Sequence, residues 1–207
     1  MILIGQYDSP FVRRVGIAMR LYDMAFEHRP WSTFRDAELI APYNPLTRVP
    51  TLALDDVLAL VECHAIIDYL DGLAGPARAL YPQPPLRHRA MRVASIACHM
   101  ADKAVSLFYE QRLHEAASPV WVARCRSQVA GALDLLERER AQTKSAYWFG
   151  AACGHADIAV ACAVRFVVEA HPGLIDFSAY PRIGADAASL EATPVFREIA
   201  QPFIAPA

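Results

Sequence analysis

The sequence predicts an α/β domain over residues 1–78 followed by an all-helical domain over residues 86–207. Three observations carry that prediction. Residues 1–75 alternate between short apolar runs and stripes of helical period. Four of the 15 prolines crowd residues 75–86, a density that breaks any helix and reads as a linker. Beyond the linker the strand pattern disappears and only helical stripes remain.

Taken in order, Ile2-Leu3-Ile4 is an apolar run ended by Gly5, as in a buried strand. Val12, Val15, Met19 and Tyr22 recur at three and four residues, one face of a helix. Residues 26–31 predict a second strand. A short helix follows near residues 36–40 and is stopped by Pro42 and Pro45. Residues 51–54 and 57–60 flank Asp55-Asp56 as a hairpin. Ile66, Tyr69, Leu70 and Leu73 mark a further amphipathic helix, so the order is β-α-β-α-β-β-α. In the second part, stripes run through Val93, Ile96, Met100, Ala104 and Leu107, then Val122, Cys125, Val129, Leu133 and Leu136. A third runs through Ile158, Ala161, Val164 and Val168.

Composition limits the function. Of 207 residues, 55% are hydrophobic and 20% charged, enough apolar material to bury a core, which excludes whole-chain disorder. A net charge of −2 supplies no global positive field for nucleic acid or an anionic membrane. All but Lys103 and Lys144 of the 20 basic residues are arginine, and they are scattered rather than gathered in a patch. No basic stretch followed by a long apolar one opens the sequence, and no apolar run reaches the roughly 18 residues of a membrane span. The five cysteines are widely spaced and lack a CxxC pair, so neither a disulfide framework nor a zinc site is expected; a reducing cytoplasm is.

Four short segments could carry chemistry. Ser9-Pro10 is an ordinary helix start, serine at the N-cap and proline at the first helical position. The same place offers a hydroxyl beside unpaired N–H groups and a partial positive charge, which stabilises an anion such as a thiolate. Val49-Pro50 precedes a predicted strand. Residue statistics favour a trans bond there; a cis bond would turn the Val49 backbone outward to pair with a peptide-like ligand as an added strand. Glu62-Cys63 opens the third helix. It reads as an ordinary acidic helix start, or as a carboxylate for a ligand ammonium beside N–H groups for a ligand carboxylate. Gly154 to Ile158 reads as structural, with Asp157 reaching back to the Gly154 N–H.

Together these segments resemble the cytosolic glutathione S-transferase family in its serine-type, bacterial-like form. SPFVRRV (9–15) resembles the start of the family's first helix. NPLTRVPTL (44–52) resembles the segment around its cis-proline. ECHAIIDYLD (62–71) resembles its glutamate-serine motif, ALYP (79–82) its interdomain link and GHADI (154–158) its capping box. The resemblance implies a thioredoxin-like N-terminal domain that binds glutathione as co-substrate, and an all-α C-terminal domain. It implies no metal, and a homodimer. By position, Ser9 is the thiolate-stabilising hydroxyl. Val49, at the bond to Pro50, pairs with the cysteinyl backbone, Arg48 meets the glycine carboxylate, and Glu62 and Cys63 hold the γ-glutamyl end. A hydrophobic electrophile would lie near Met100, Lys103, Leu107 and Phe108, each of which reads first as a residue of the core.

Three departures bear on the chemistry. Cys63 stands where the motif has serine, and a thiol is a weaker hydrogen-bonding group. Pro10 occupies the position of the beta-class cysteine, and the Ser-Ser-Cys signature of zeta-class isomerases is absent. Tyr7, two residues before Ser9, is a second hydroxyl able to donate to a thiolate. The expected activity is conjugation of glutathione to the electrophile. The alternatives are glutathione-dependent disulfide or peroxide reduction, and a non-catalytic glutathione-fold binding protein.

Overall fold

The computed structural model describes residues 1–54 and 58–205. The Asp55-Asp56 turn and Val57 lie outside the described residues. The chain divides into two compact units, Met1–Tyr81 with Thr193–Ala207, and Pro82–Ala192.

The first unit holds strands β1 (Ile2–Ile4), β2 (Glu27–Arg29), β3 (Thr51–Ala53) and β4 (Ala59–Val61). Its helices are α1 (Pro10–Leu21), α2 (Ala37–Ile40) and α3 (Cys63–Ala74), in the β-α-β-α-β-β-α order read from the sequence. The four-stranded sheet runs β2-β1-β3-β4. β1 pairs parallel with β2, which requires the α1 crossover, and antiparallel with β3; β3 pairs antiparallel with β4. Strand β2 is shorter than residues 26–31 because it is an edge, held by β1 alone. The core gathers Leu3, Ile4 and Leu52 from the sheet, Val12, Val15 and Met19 from α1, and Ile66, Ile67 and Leu70 from α3, all buried. Helix α8 (Pro194–Glu198) packs on α1 in the same unit.

The predicted linker is fastened at its start. The Asp71 carboxylate, buried in α3, accepts from Tyr22 Oη at 2.5 Å, from Leu80 N–H at 2.9 Å and from Tyr81 N–H at 3.3 Å. Arg78 donates to the Tyr22 carbonyl at 2.8 Å. Burial and the Asp71 carboxylate together push the Tyr22 phenol far above its ordinary pKa, so it remains a donor at any physiological pH.

The second unit contains α4 (Arg87–Leu113), α5 (Pro119–Ala141), α6 (His155–Ala170) and α7 (Pro181–Glu191). α6 is buried on nearly every face and packs against α4 and α7, so it is the unit's central helix. Asp157 starts it, accepting from Gly154 N–H and Trp148 N–H at 3.0 Å each. Gly154 has no side chain to return the bond, so only the aspartate half of the capping box exists. The helical stripes fail at two positions: Val168 is 41% exposed, with Phe166 and Val167 turned inward instead, and Leu73 of the α3 stripe is exposed while Ile67 is buried.

Replacing Asp71 by Ala removes the buried acceptor shared by Tyr22 Oη, Leu80 N–H and Tyr81 N–H. We expect a loss of about 2–4 kcal/mol, read from urea or thermal unfolding, whereas Tyr22→Phe costs about 1 kcal/mol.

Candidate functional site

Ser9 sits at the tip of α1 with extended backbone angles, φ −68° and ψ 122°. Its Oγ accepts from Val12 N–H at 3.4 Å and its carbonyl from Arg13 N–H at 3.0 Å. Pro10 brings no N–H of its own, so the first turn has one fewer donor to satisfy. A hydroxyl carries one donor and two lone pairs. Capping consumes a lone pair and leaves the O–H available to a ligand. The ordinary helix start and the anion-stabilising hydroxyl are therefore compatible in one geometry.

The residues before β3 come up against this tip because residue 5 has no side chain. Gly5 has φ +125°, and a Cβ there would stand 2.6 Å from Val12 Cγ2 and 2.8 Å from Val49 Cβ. Val49 thus lies beside the third residue of the capped turn. The Val49-Pro50 bond is cis, as the family resemblance implies and against residue statistics. Among the described residues neither the N–H nor the C=O of Val49 has a hydrogen-bond partner. Buried Asn44 organises this segment. It donates to Arg48 C=O at 2.9 Å and Thr51 Oγ1 at 3.1 Å, and accepts from Leu46 N–H at 3.0 Å. Arg48 is thereby fixed at its carbonyl while its residue as a whole stays exposed.

At the start of α3, Glu62 holds φ +75°, a conformation that costs a non-glycine residue about 1–3 kcal/mol and gathers at functional positions. Its carboxylate accepts from His64 N–H at 3.0 Å and from the Cys63 thiol at 3.2 Å. Burial acts to raise the Glu62 pKa. The bonds from Cys63 and His64 outweigh it and hold the group below its ordinary 4.5. Cys63 is buried, and its sulfur also accepts from Arg14 Nη1 at 3.5 Å. The thiol is engaged by protein groups on both its donor and acceptor sides.

Arg14 joins these segments. It is fully buried on α1 and reaches Cys63 Sγ, His64 Nδ1 at 3.4 Å and Tyr81 Oη at 2.9 Å. Sequence reasoning missed it, along with Arg13, Asn44 and Gly5. The available signal was the placement of Arg13 and Arg14 between Val12 and Val15, on a helix with little room for a solvated face.

Tyr7 points elsewhere. Its ring stacks on His28 with centroids 3.8 Å apart and planes 11° from parallel. Its Cε1 lies 2.9 Å from where a Cβ on Gly16 would stand, and Gly16 is about 10 Å along the helix axis from Ser9 at 1.5 Å per residue. Burial first, then the neighbouring Glu198 charge, push the phenol up to about 12 against the lowering effect of Arg20. Met100 and Leu107, expected near an electrophile, are core residues of the second unit; Lys103 and Phe108 are half-buried.

Known proteins share this architecture. The family model of the glutathione S-transferase N-terminal domain matches residues 3–78, and that of the C-terminal domain matches residues 119–185. The GST-like protein YibF of Escherichia coli is 29% identical over 139 residues, 66% of this chain and 68% of that one. A mouse maleylacetoacetate isomerase is 26% identical over 202 residues, 95% of this chain and 90% of that one. A glutathione S-transferase of Methylobacterium radiotolerans, solved with glutathione sulfonate, superposes with a TM-score of 0.88 at 26% identity, covering 100% of this chain and 98% of that one.

The lowered Glu62 pKa has a signed consequence. A carboxyl with a folded pKa below its unfolded value contributes stability above about 4.5, lost as pH falls through the folded pKa. Wild type is therefore expected to exceed Glu62→Gln in urea midpoint at pH 6, and the gap to close on acidification below 4.5.

Proposed function

The chain belongs to the glutathione S-transferase family, and from that membership we propose that it conjugates the thiolate of glutathione, stabilised by Ser9, to a hydrophobic electrophile. Residues 1–78 would form the glutathione-binding domain and residues 86–207 the helical one, whose closing stretch Thr193–Ala207 falls in the first compact unit. The observation that carries the reading is a convergence on the first turns of α1. There meet a hydroxyl with its proton to spare, a backbone N–H and C=O at Val49 without partners among the described residues, and an acidic corner at Glu62.

In this reading the Val49 backbone, at its bond to Pro50, pairs with the cysteinyl unit as an added strand would. The Glu62 carboxylate receives the γ-glutamyl ammonium, and the N–H groups at the start of α3 receive its carboxylate. Cys63 contributes through its backbone, because its thiol is held by Glu62 and Arg14. Arg48, exposed at the rim, meets the glycine carboxylate. Glutathione loses its thiol proton to solvent, and its sulfur forms the new bond to an electrophilic carbon as that carbon's bond to a leaving group breaks, the group departing to solvent as an anion with the electron pair. Ser9 is favoured over Tyr7 because the phenol is committed to the His28 stack farther along α1. Conjugation is favoured over isomerisation because Ser-Pro-Phe stands at residues 9–11 where the isomerase signature would be. A homodimer in the cytoplasm fits the family. Among the described residues no helix is long and apolar enough to cross a membrane.

Magnitudes set what activation can achieve. A thiol of pKa about 8.5 is about 3% ionised at pH 7, and lowering it to about 6.5 takes about 2.7 kcal/mol. A charge-assisted hydrogen bond of about 1.5–3 kcal/mol plus the helix-end field suffices. Nucleophilicity falls as thiolate basicity falls. Against a gain of about 25-fold in thiolate, the intrinsic loss is about eightfold, leaving about threefold at neutral pH. Orientation of the two substrates supplies the larger share.

In Ser9→Ala the bound-thiol pKa is expected to rise by about one to two units, and the conjugation rate at pH 7 to fall by up to about threefold. An unchanged pKa and rate would remove Ser9 from the role. Calorimetry with glutathione tests binding itself: no heat at millimolar concentration would leave only a non-catalytic fold relative. Parallel assays with an aryl halide, a hydroperoxide and a mixed disulfide separate conjugation from reduction.

A further inference from the structure

One set of contacts on α1 remains outside that reading. The segment after α8 runs back along α1 toward its N-terminal tip. Glu198 meets Arg20 at 2.9 Å. The Ile199 carbonyl accepts from Arg13 Nε at 2.8 Å, and Ile199 Cγ2 lies 2.9 Å from where a Cβ on Gly16 would stand. Buried Arg13 also donates to Phe196 C=O at 2.8 Å and lies over the Phe196 ring, 5.3 Å from its centroid. Gln201 Oε1 then accepts from Tyr7 N–H at 3.3 Å. Finally, Ile204 N–H donates to Asp8 Oδ2 at 3.1 Å. Residues 198, 199, 201 and 204 thus come upon α1 and the turn before it in order, ending at the two residues that precede Ser9.

We propose that residues 201–204 form a brace that positions Ser9, with Gln201 and Asp8 as positioning residues; the proposal rests on the Ser9 reading above. The hydroxyl's direction is set by the backbone on both sides of Ser9. On the helical side, Val12 and Arg13 fix it. On the other side, residues 6–8 belong to neither strand nor helix, and the local backbone bond among the described residues is a turn, Ser9 N–H to Gln6 C=O at 3.2 Å. Gln201 and Ile204 add restraints at both intervening residues from positions 194 and 196 away in sequence. Directional hydrogen bonds weaken steeply with misalignment, so a displaced hydroxyl loses the thiolate it stabilises. The bond from Ile204 also holds the Asp8 carboxylate in one orientation.

The test uses glutathione as probe, with the bound-thiol pKa read from thiolate absorbance and affinity from calorimetry. In a chain ending at Ala200, thiolate at pH 6.5 is expected to fall by about threefold to tenfold, with glutathione Kd changed less than about twofold. Gln201→Ala shifts the pKa in the same direction by less. Adding Ser9→Ala to the shortened chain produces no further rise, because both changes remove the same interaction. An unshifted pKa in the shortened chain and in Gln201→Ala, with Ser9→Ala still raising it, overturns the brace and leaves Ser9 standing. An unshifted pKa in Ser9→Ala overturns both. If the shortened chain fails to fold or to bind, Gln201→Ala decides: a wild-type pKa there overturns the brace.

Discussion

Because residue 5 carries no side chain, the end of β1 can lie against Val12 and Val49 at once. That close approach brings the segment before β3 onto the first turn of α1, and the rest of the candidate site is arranged around the same turn. A Cβ at Gly5 would stand inside contact distance of both neighbours, on a backbone at φ +125° that side-chain-bearing residues rarely adopt. The strand end, the helix tip and the placement of Val49 therefore depend on a single missing methyl group.

Two buried arginines extend the arrangement. Arg14 reaches the start of α3 and the beginning of the linker, while Arg13 secures the segment around α8. A guanidinium is always charged and presents several donors in a rigid fork, which suits one residue bridging elements far apart in sequence. Burying a charge is costly unless its hydrogen bonds are made, and here carbonyls, a phenol and a sulfur accept several of them, Arg14 Nε excepted. The consequence for function is rigidity: the helix carrying Ser9 is tied to its surroundings on several sides.

The same economy governs Ser9 and Glu62. Both cap helices, and both retain chemistry after capping. Ser9 gives up a lone pair and keeps its proton. Glu62 accepts from His64 and Cys63 and stays ionised, held below its ordinary pKa by those bonds. In each case the helix end that needs a cap also supplies the partial positive charge that favours an anion. This is why weighing structural against functional roles at either position yields one geometry rather than two.

The sequence alone determined the order of strands and helices in the first unit, the helices α4, α5 and α6, the proline-rich break and the helix starts at Ser9, Glu62 and Gly154, because period and capping chemistry are local; α7 and α8 were not read from it. Val12, Val15 and Met19 lie on one face wherever α1 is placed. Family resemblance added the cis bond at Val49, which local statistics oppose. Tertiary structure decided the rest. It buried Arg13 and Arg14, which in sequence are two more scattered arginines. It turned the Cys63 thiol toward Glu62 and Arg14, and stacked Tyr7 on His28 away from Ser9. It sent Met100 and Leu107 into a core and brought Gln201 to Tyr7 across 194 residues. A side chain's partners depend on which distant segments its element packs against, and neither spacing nor composition encodes that choice.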